Sequence, residues 1–248
     1  MGEMVIDRKI AKKVLAMIDK GLTAGLGNQK PGEMCIEAVV CHALGLPHGD
    51  NPPCVAPMLR SLKIRLNDAS WSSDKARAKG MRRLGLIQLG SAGHLDAEEF
   101  RKRLVDYALR VSTPAALRSA ASVQKDGKHK EALYAAANKC EKEATREAAQ
   151  EARQVARNAA AAYAAAYAAA DAAIAAAYAA AYAAAYAAAA AYAAADATAA
   201  AYAAYAAIAA AKKFARDKSL ADYAEAVVQI LIELKVPGVQ WLELTEAA

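Results

Sequence analysis

Apolar positions in the first part of the chain recur with the spacing of short amphipathic helices. Residues 7–22 carry apolar side chains at the 3.6-residue period of a helix: Ile10, Val14, Leu15, Ile18 and Leu22. Asp7 stands immediately before them and is predicted to cap that helix. A second helix is predicted to begin at Pro31, to be mostly buried over Cys35–Leu44 and to end at Gly45. Because no alternating run is long enough for a strand, the pattern predicts an all-α fold.

The other helix boundaries follow from capping residues, prolines and glycines. The proline-rich run at 46–54 predicts an ordered loop. Helix starts are predicted at Pro57, at Ser73 or Asp74, at Asp96 with Glu99 as a capping box, at Thr113–Pro114, and at Ser219 with Asp222 as a capping box. Ends are predicted at Leu66, Gly90, Val111 and Leu234, with Pro237–Gly238 after the last of them.

The pattern changes between Ala159 and Ala211. Of these 53 residues 40 are alanine, the best helix former, and eight of the other 13 are tyrosine. At 100° per residue, nearly all the bulk from Tyr163 to Tyr192 falls on one stripe of a helix. Such a stripe needs a matching surface, so we predict a long helical bundle that self-associates into a homo-oligomer. A tyrosine-lined pocket that stacks on a planar ligand is the alternative.

Two further features of this tract bear on its structure. The bulky side chains change sides after Asp196, which predicts a helix break or a new packing partner at Asp196–Thr198. The 24 uncharged residues Ala172–Ala195 are long enough to span a bilayer. Alanine is only marginally apolar, however, and the flanking aspartates are not positive anchors, so no membrane span is predicted.

Composition divides the chain into two regions. We predict a basic multi-helix head domain over residues 1–127 and an Ala/Tyr-rich bundle or oligomerisation domain over residues 128–248. The first 127 residues hold 20 Lys/Arg against 13 Asp/Glu, which favours an anionic partner. Four cysteines without regular disulfide spacing, and no secretory signal, indicate the cytoplasm.

One segment of the head has the residue types of an anion site. Cations flank a turn between two predicted helices, and the start of the second helix offers free backbone N–H groups. Trp71 in this turn is a surface on which a base could stack. The predicted ligand-binding residues are Lys63, Arg65, Asn67, Trp71, Ser72 and Arg77. The alternative is an ordinary turn, with a core tryptophan and solvated cations. Helix-turn-helix binding of nucleic acid is not favoured, because the connection is long and lacks glycine.

A second group consists of Cys35, Cys41, His42, His48 and Cys54. These residue types bind zinc, but no Cys-x-x-Cys or His-x-x-x-His pair is present. A Cys–His nucleophile is also disfavoured, since adjacent Cys41 and His42 do not face each other on a helix. We therefore predict buried thiols, no metal and no cofactor.

Several motifs together suggest a family resemblance. They are Gly32–Ala38, Gly45–His48, Pro52–Val55, Lys63–Asp68, Trp71–Ser73 and the Ala/Tyr tail. With these the chain resembles a family of uncharacterised bacterial and bacteriophage proteins that join a helical head to an alanine-rich tail. Similar tails occur in proteins described as immunity proteins of toxin systems. No catalytic residue travels with this resemblance, which implies a non-enzymatic role in bacterial or phage conflict.

Two functions are compatible with these observations. The first is a binding or sequestering protein, such as a phage anti-defence sponge for a nucleotide-like immune signal, held by the predicted anion site or by tail tyrosines. The second is a toxin-neutralising immunity protein, or a purely structural module that binds a protein partner.

Overall fold

The computed structural model describes residues 6–124, 127–161 and 213–246, which form an all-α protein. The tyrosine stripe, the predicted break at Asp196–Thr198 and the oligomerisation surface lie outside the described residues. Within the described part, extended backbone pairs only at an antiparallel bridge between Gly27 and Met34. No helix in that part is both long enough and apolar enough to cross a bilayer.

The helices are short until the last one. They are α1 (Arg8–Ile18), α2 (Ile36–Ala43), α3 (Pro57–Asn67), α4 (Asp74–Ile87), α5 (Ala97–Tyr107), α6 (Thr113–Val123), α7 (Gly127–Glu143), α8 (Arg146–Ala161) and α9 (Lys213–Glu233). A π-helical turn, Ala108–Ser112, joins α5 to α6, and a 3-10 helix, Pro237–Thr245, follows α9.

Side-chain caps set several helix starts where the sequence predicts them. Asp7 accepts a hydrogen bond from the backbone N–H of Ile10 at 2.7 Å, and Asp96 accepts one from Glu99 at 3.0 Å. The Ser73 hydroxyl accepts from the N–H of Ala76 at 3.1 Å and caps α4. Each cap satisfies a donor that the first helical turn leaves without a partner.

Two predicted starts are wrong. Pro31 does not begin α2, because the chain first turns through Gly32 at a φ of 86°, and the N–H of Asn28 donates to the carbonyl oxygen of Glu33 at 2.8 Å. The helix begins at Ile36, after the Sγ atom of Cys35 has accepted the N–H of Ala38 at 3.3 Å. Ser219 does not begin a helix either, since α9 already runs from Lys213 through it without interruption.

The chain divides into two compact units, with a boundary inside α9. The first unit joins Met1–Phe100 to Ala221–Ala248, and the second is Arg101–Leu220. Residue 127, after which the sequence predicts a domain boundary, lies inside the second unit, and the last 28 residues belong to the first unit. Whether residues 1–127 and 128–248 act as a head and a separate bundle stays a prediction.

In the first unit, α1 packs against α2, α4 and the 3-10 helix, and α3 packs against α2. Its core holds large side chains that are essentially inaccessible to solvent: Val14, Ile18, Leu22, Met34, Ile36, Leu59, Leu62, Leu66, Met81 and Leu84. Gly85 allows α1 and α4 to approach, because a Cβ atom there would lie 2.3 Å from Cδ1 of Ile18. Burial of such side chains stabilises the fold by about 1.5–3 kcal/mol each.

The described helices of the second unit pack mainly through alanine. α7 lies against both α6 and α8. Their shared core consists of Leu117, Ala120, Ala121, Leu133, Ala136, Ala137, Cys140, Ala148, Ala152, Ala156 and Ala159. Ion pairs join Arg118 to Glu141 and Lys139 to Glu151 across these contacts.

The units also differ in charge. The first holds 15 Lys/Arg against 16 Asp/Glu, because the acids of residues 221–248 offset the excess of cations in residues 1–100. Glu225 pairs with Arg83, and Glu243 pairs with Arg8. The second unit holds 17 Lys/Arg against 10 Asp/Glu, so the positive excess of the protein belongs to it.

Candidate functional site

The predicted anion-binding residues lie around the turn between α3 and α4. Four of the six side chains are buried: Lys63, Asn67, Trp71 and Arg77. Arg65 is exposed and Ser72 is half-buried, and both have contacts within the protein. The structure therefore brings the predicted residues together in one region, but most of them point into the core.

Trp71 closes the turn onto the two helices it joins. Its indole Nε1 donates to the carbonyl oxygen of Leu66 at 2.8 Å, and only 8% of the residue is exposed. A Cβ atom at position 80 would lie 2.4 Å from the ring, so Gly80 of α4 makes room for the indole. With its N–H satisfied and its ring packed, Trp71 has the role of a core anchor.

Arg77 ties three segments of the first unit together. Its Nε donates to the carbonyl oxygen of Asn67 at 2.6 Å, and its Nη1 donates to that of Leu22 at 2.7 Å. Nη1 also pairs with the carboxylate of Asp74. Arg77 is 5% exposed, and its guanidinium group donates to α3, to the loop after α1 and to its own helix.

Asn67 links the end of α3 to the start of α2. Its Oδ1 accepts from the backbone N–H of Ile36 at 3.3 Å, and its Nδ2 donates to the carbonyl oxygen of Thr23 at 2.8 Å. Ile36 is the first residue of α2, so Asn67 satisfies one of the donors that the helix leaves open.

Lys63 is fully buried and is paired with Glu37 of α2, which is equally buried. The Nζ of Lys63 lies 2.5 Å from Oε1 of Glu37. Burial raises the pKa of the Glu37 carboxyl and lowers the pKa of the Lys63 ammonium, and the attraction between them opposes both shifts. The two groups titrate as a unit, with no net charge wherever the shared proton lies.

Glu37 is central to this group of residues, but it is not among the six that the sequence predicts. It is the one acidic residue of helix Ile36–Ala43, which is apolar apart from Glu37 and His42. A lone acid in a buried helix requires a buried cation or hydrogen-bond donors, and that requirement is the signal that points to a partner such as Lys63.

Three thiols surround this ion pair. Cys35, Cys41 and Cys54 are all free and buried. Burial raises the pKa of each, to about 11 for Cys41. Because the thiolate is the reactive and metal-binding form, these thiols are poor nucleophiles. Within the described residues, no three His, Cys, Asp or Glu side chains are grouped so as to hold a metal ion.

A recess of about 50 Å³ adjoins the pair. Its floor includes Cys35, Glu37 and Asn67, and its rim includes Leu26 and Asp68. It is far smaller than the several hundred Å³ typical of sites for nucleotides and other small molecules.

Comparison of the chain with protein-family models, with curated proteins and with solved structures finds no match in any of the three. The resemblance to bacterial and bacteriophage proteins with Ala/Tyr tails therefore stays a prediction.

Proposed function

We propose that this protein is a non-enzymatic binding module whose partner is another protein, and that it acts in bacterial or phage conflict as a neutralising or structural component. The observation that carries the proposal is the use of Lys63, Asn67, Trp71 and Arg77 as interior contacts. The side chains that would recognise a nucleotide instead make hydrogen bonds, ion pairs or packing contacts within the protein.

The chemistry of the ionisable groups supports a non-enzymatic role. Perturbed pKa values are typical of active sites, but a catalytic acid or base must also reach its substrate. Lys63 is inaccessible to solvent, Glu37 adjoins a recess of only about 50 Å³, far smaller than the sites that hold small-molecule substrates, and the neighbouring thiols are held in their protonated form. The ion pair connects α2 to α3 inside the core.

The charge distribution supports a partner other than a nucleotide for the first unit. Its Lys/Arg and Asp/Glu counts are nearly equal, so it has no general attraction for polyanions. The nucleotide-sponge hypothesis stays a prediction, as does self-association through the Ala/Tyr tract.

Thermal shift against a panel of cyclic and linear nucleotides tests the proposal. A ligand at one hundred times its Kd stabilises a folded protein by about 2.7 kcal/mol, so a nucleotide site would raise the Tm. We expect no rise at millimolar concentrations. A rise would overturn the proposal, and loss of that rise in the Arg65→Ala variant would place the nucleotide beside Arg65, the exposed cation among the six predicted residues.

Affinity purification of the tagged chain from bacterial cells is the matching positive test. We expect a stoichiometric protein partner in the eluate, and light scattering then separates that complex from a homo-oligomer. Recovery of the chain alone, as a monomer, would count against both forms of protein binding.

A further inference from the structure

The recess beside Glu37 has three acidic residues in its lining. Glu37 comes from the first turn of α2, Asp50 from the loop before α3, and Asp68 from the end of α3. Ile36 and Ile64 provide apolar wall between them. The recess therefore combines carboxylates with aliphatic surface in a space of about 50 Å³.

The buried carboxylate at this recess has an oxygen without a partner. Glu37 is 0% exposed, and its Oε2 has no hydrogen-bond partner among the described residues, while Oε1 faces Lys63. A buried carboxylate oxygen without a donor costs free energy, so a donor that enters the recess would be stabilised.

The other two carboxylates have hydrogen bonds or an ion pair through one oxygen each. Oδ1 of Asp68 accepts from the N–H of Gly25 at 2.7 Å and from Nδ2 of Asn67 at 2.9 Å. Asp50 faces Arg60, whose Nη2 lies 3.4 Å from Oδ1 and whose Nε donates to the Asp50 carbonyl oxygen at 2.7 Å. Lys63 and Arg60 offset two of the three carboxylates, which leaves the recess with a net negative charge.

The spacing of these acids favours an organic cation over a metal ion. Ca²⁺ and Mg²⁺ require oxygen ligands at about 2.0–2.6 Å, and the described residues contain no cluster of that kind. An ammonium group donates hydrogen bonds at about 2.8 Å through three N–H groups that turn freely, which suits carboxylates spread around a recess. A guanidinium group is planar and larger, and it requires a paired, coplanar arrangement.

We propose that this recess binds the ε-ammonium group of a lysine on the partner protein. Leu26, a large apolar residue with 42% exposure, stands at the rim and would cover the aliphatic stem of that lysine. The proposal rests on the proposed function only in naming a protein as the carrier of the lysine. The recess itself is defined by Glu37, Asp50 and Asp68.

NMR titration of the full-length, ¹⁵N-labelled protein tests the recess. The probe is Nα-acetyl-lysine methylamide, and its Nε-acetylated counterpart is the uncharged control. We expect saturable shifts at the amides of Gly25, Leu26 and Asp68 with the charged probe only. Asp68→Asn keeps the Oδ1 acceptor but removes the charge, so we expect binding at least about fivefold weaker.

Asp50→Asn should weaken binding in the same direction. Asp7→Asn is the matched control, because Asp7 also accepts a backbone N–H through Oδ1 but caps α1 and does not line the recess. Equal shifts with both probes, equal shifts with sodium at the same ionic strength, or unchanged binding by Asp68→Asn would each overturn the proposal. So would tighter binding of Nα-acetyl-arginine methylamide.

The same variants connect the recess to the protein partner. In the affinity purification, Asp68→Asn and Asp50→Asn should each retain less partner than Asp7→Asn. A partner retained equally by all three would overturn the recess as its docking point while leaving protein binding intact. Stabilisation by a nucleotide, in contrast, would overturn the proposed function whatever the lysine probe does.

Discussion

The cores of the two units are built from different side chains. The first fills its core with Leu, Ile, Val and Met, closes it with Trp71, and satisfies a buried polar network inside it. The second brings α6, α7 and α8 together through alanine, with few larger side chains among them. Large side chains stabilise by the area that each one buries, whereas alanines do so by letting backbones approach.

This difference predicts opposite sensitivities to mutation. The first unit is stabilised by large side chains and a buried ion pair, so removal of one of those groups should destabilise it most. The second unit is stabilised by close packing around small side chains, so replacement of a buried alanine by a larger residue should destabilise it most. The predictions below test that contrast, beginning with the largest expected effect.

Removal of Lys63 should be the most damaging change in the first unit. In Lys63→Ala, Glu37 would remain fully buried with no cation beside it. Loss of one partner of a buried pair costs about 3–5 kcal/mol, so we expect the free energy of unfolding to fall by that amount in chemical denaturation at pH 7. The double variant Glu37→Gln/Lys63→Met should recover most of the loss. A double variant as unstable as Lys63→Ala would show that packing, not the orphaned charge, dominates.

Replacement of a buried alanine by a larger residue should destabilise the second unit. Ala137 is 0% exposed where α7 meets its neighbours. Ala137→Leu would force the helices apart or into strained rotamers, and we expect a loss of about 1–3 kcal/mol in chemical denaturation. Ala135 lies two residues away on the exposed side of the same helix, so Ala135→Leu should change stability by less than about 0.5 kcal/mol. Equal effects of the two substitutions would contradict close packing through alanine.

The same contrast explains which parts of the fold could be predicted from sequence. Periodicity and local capping predict α1 and the cap of α4 because the residues concerned, Asp7 and Ser73, act within one turn of their own helix. The start of α2 could not be predicted in this way. Its donors are satisfied by Cys35 and by Asn67, the latter from the end of a different helix.

The sequence predicts which residues meet at the turn between α3 and α4, but it does not predict that four of them point into the core. Spacing predicts that Lys63, Asn67, Trp71 and Arg77 lie near one turn, but it does not reveal whether they face solvent. Their orientation depends on carbonyl groups and a carboxylate supplied by distant residues, such as Leu22 and Glu37. For the same reason, a recess formed from four separate segments has no signature along the sequence.

A buried thiol provides a pH-dependent test of the second unit. Cys140 is 0% exposed, and its Sγ donates to the carbonyl oxygen of Ala148 at 3.4 Å. Burial raises its pKa from 9.0 to about 11. The folded state therefore holds this proton more tightly than the unfolded state, and the stability it contributes is present below about pH 9 and lost as the pH rises towards 11.

Comparison of the wild-type protein with Cys140→Ala isolates this contribution. Between pH 9 and 10, the free energy of unfolding of the wild type should fall by about 1 kcal/mol more than that of the variant. Chemical denaturation under reducing conditions at the two pH values measures the difference. Parallel pH profiles would show that Cys140 is accessible to solvent and that the alanine core around it is looser than the structure describes.

The smallest expected effect concerns the turns that end helices in the two units. Ala144 after α7 and Lys235 after α9 both adopt positive φ, at 49° and 54°. Such a conformation costs a residue with a Cβ atom about 1–2 kcal/mol. Glycine avoids that cost, but its greater freedom in the unfolded chain offsets part of the gain. Ala144 also packs against Leu109 and Ala149, while Lys235 is exposed. We therefore expect Lys235→Gly to stabilise by about 0.5–1 kcal/mol and Ala144→Gly by less, as measured by thermal unfolding. The reverse order would mean that the methyl group of Ala144 contributes nothing to its unit, which is the opposite of what a core built from alanines requires.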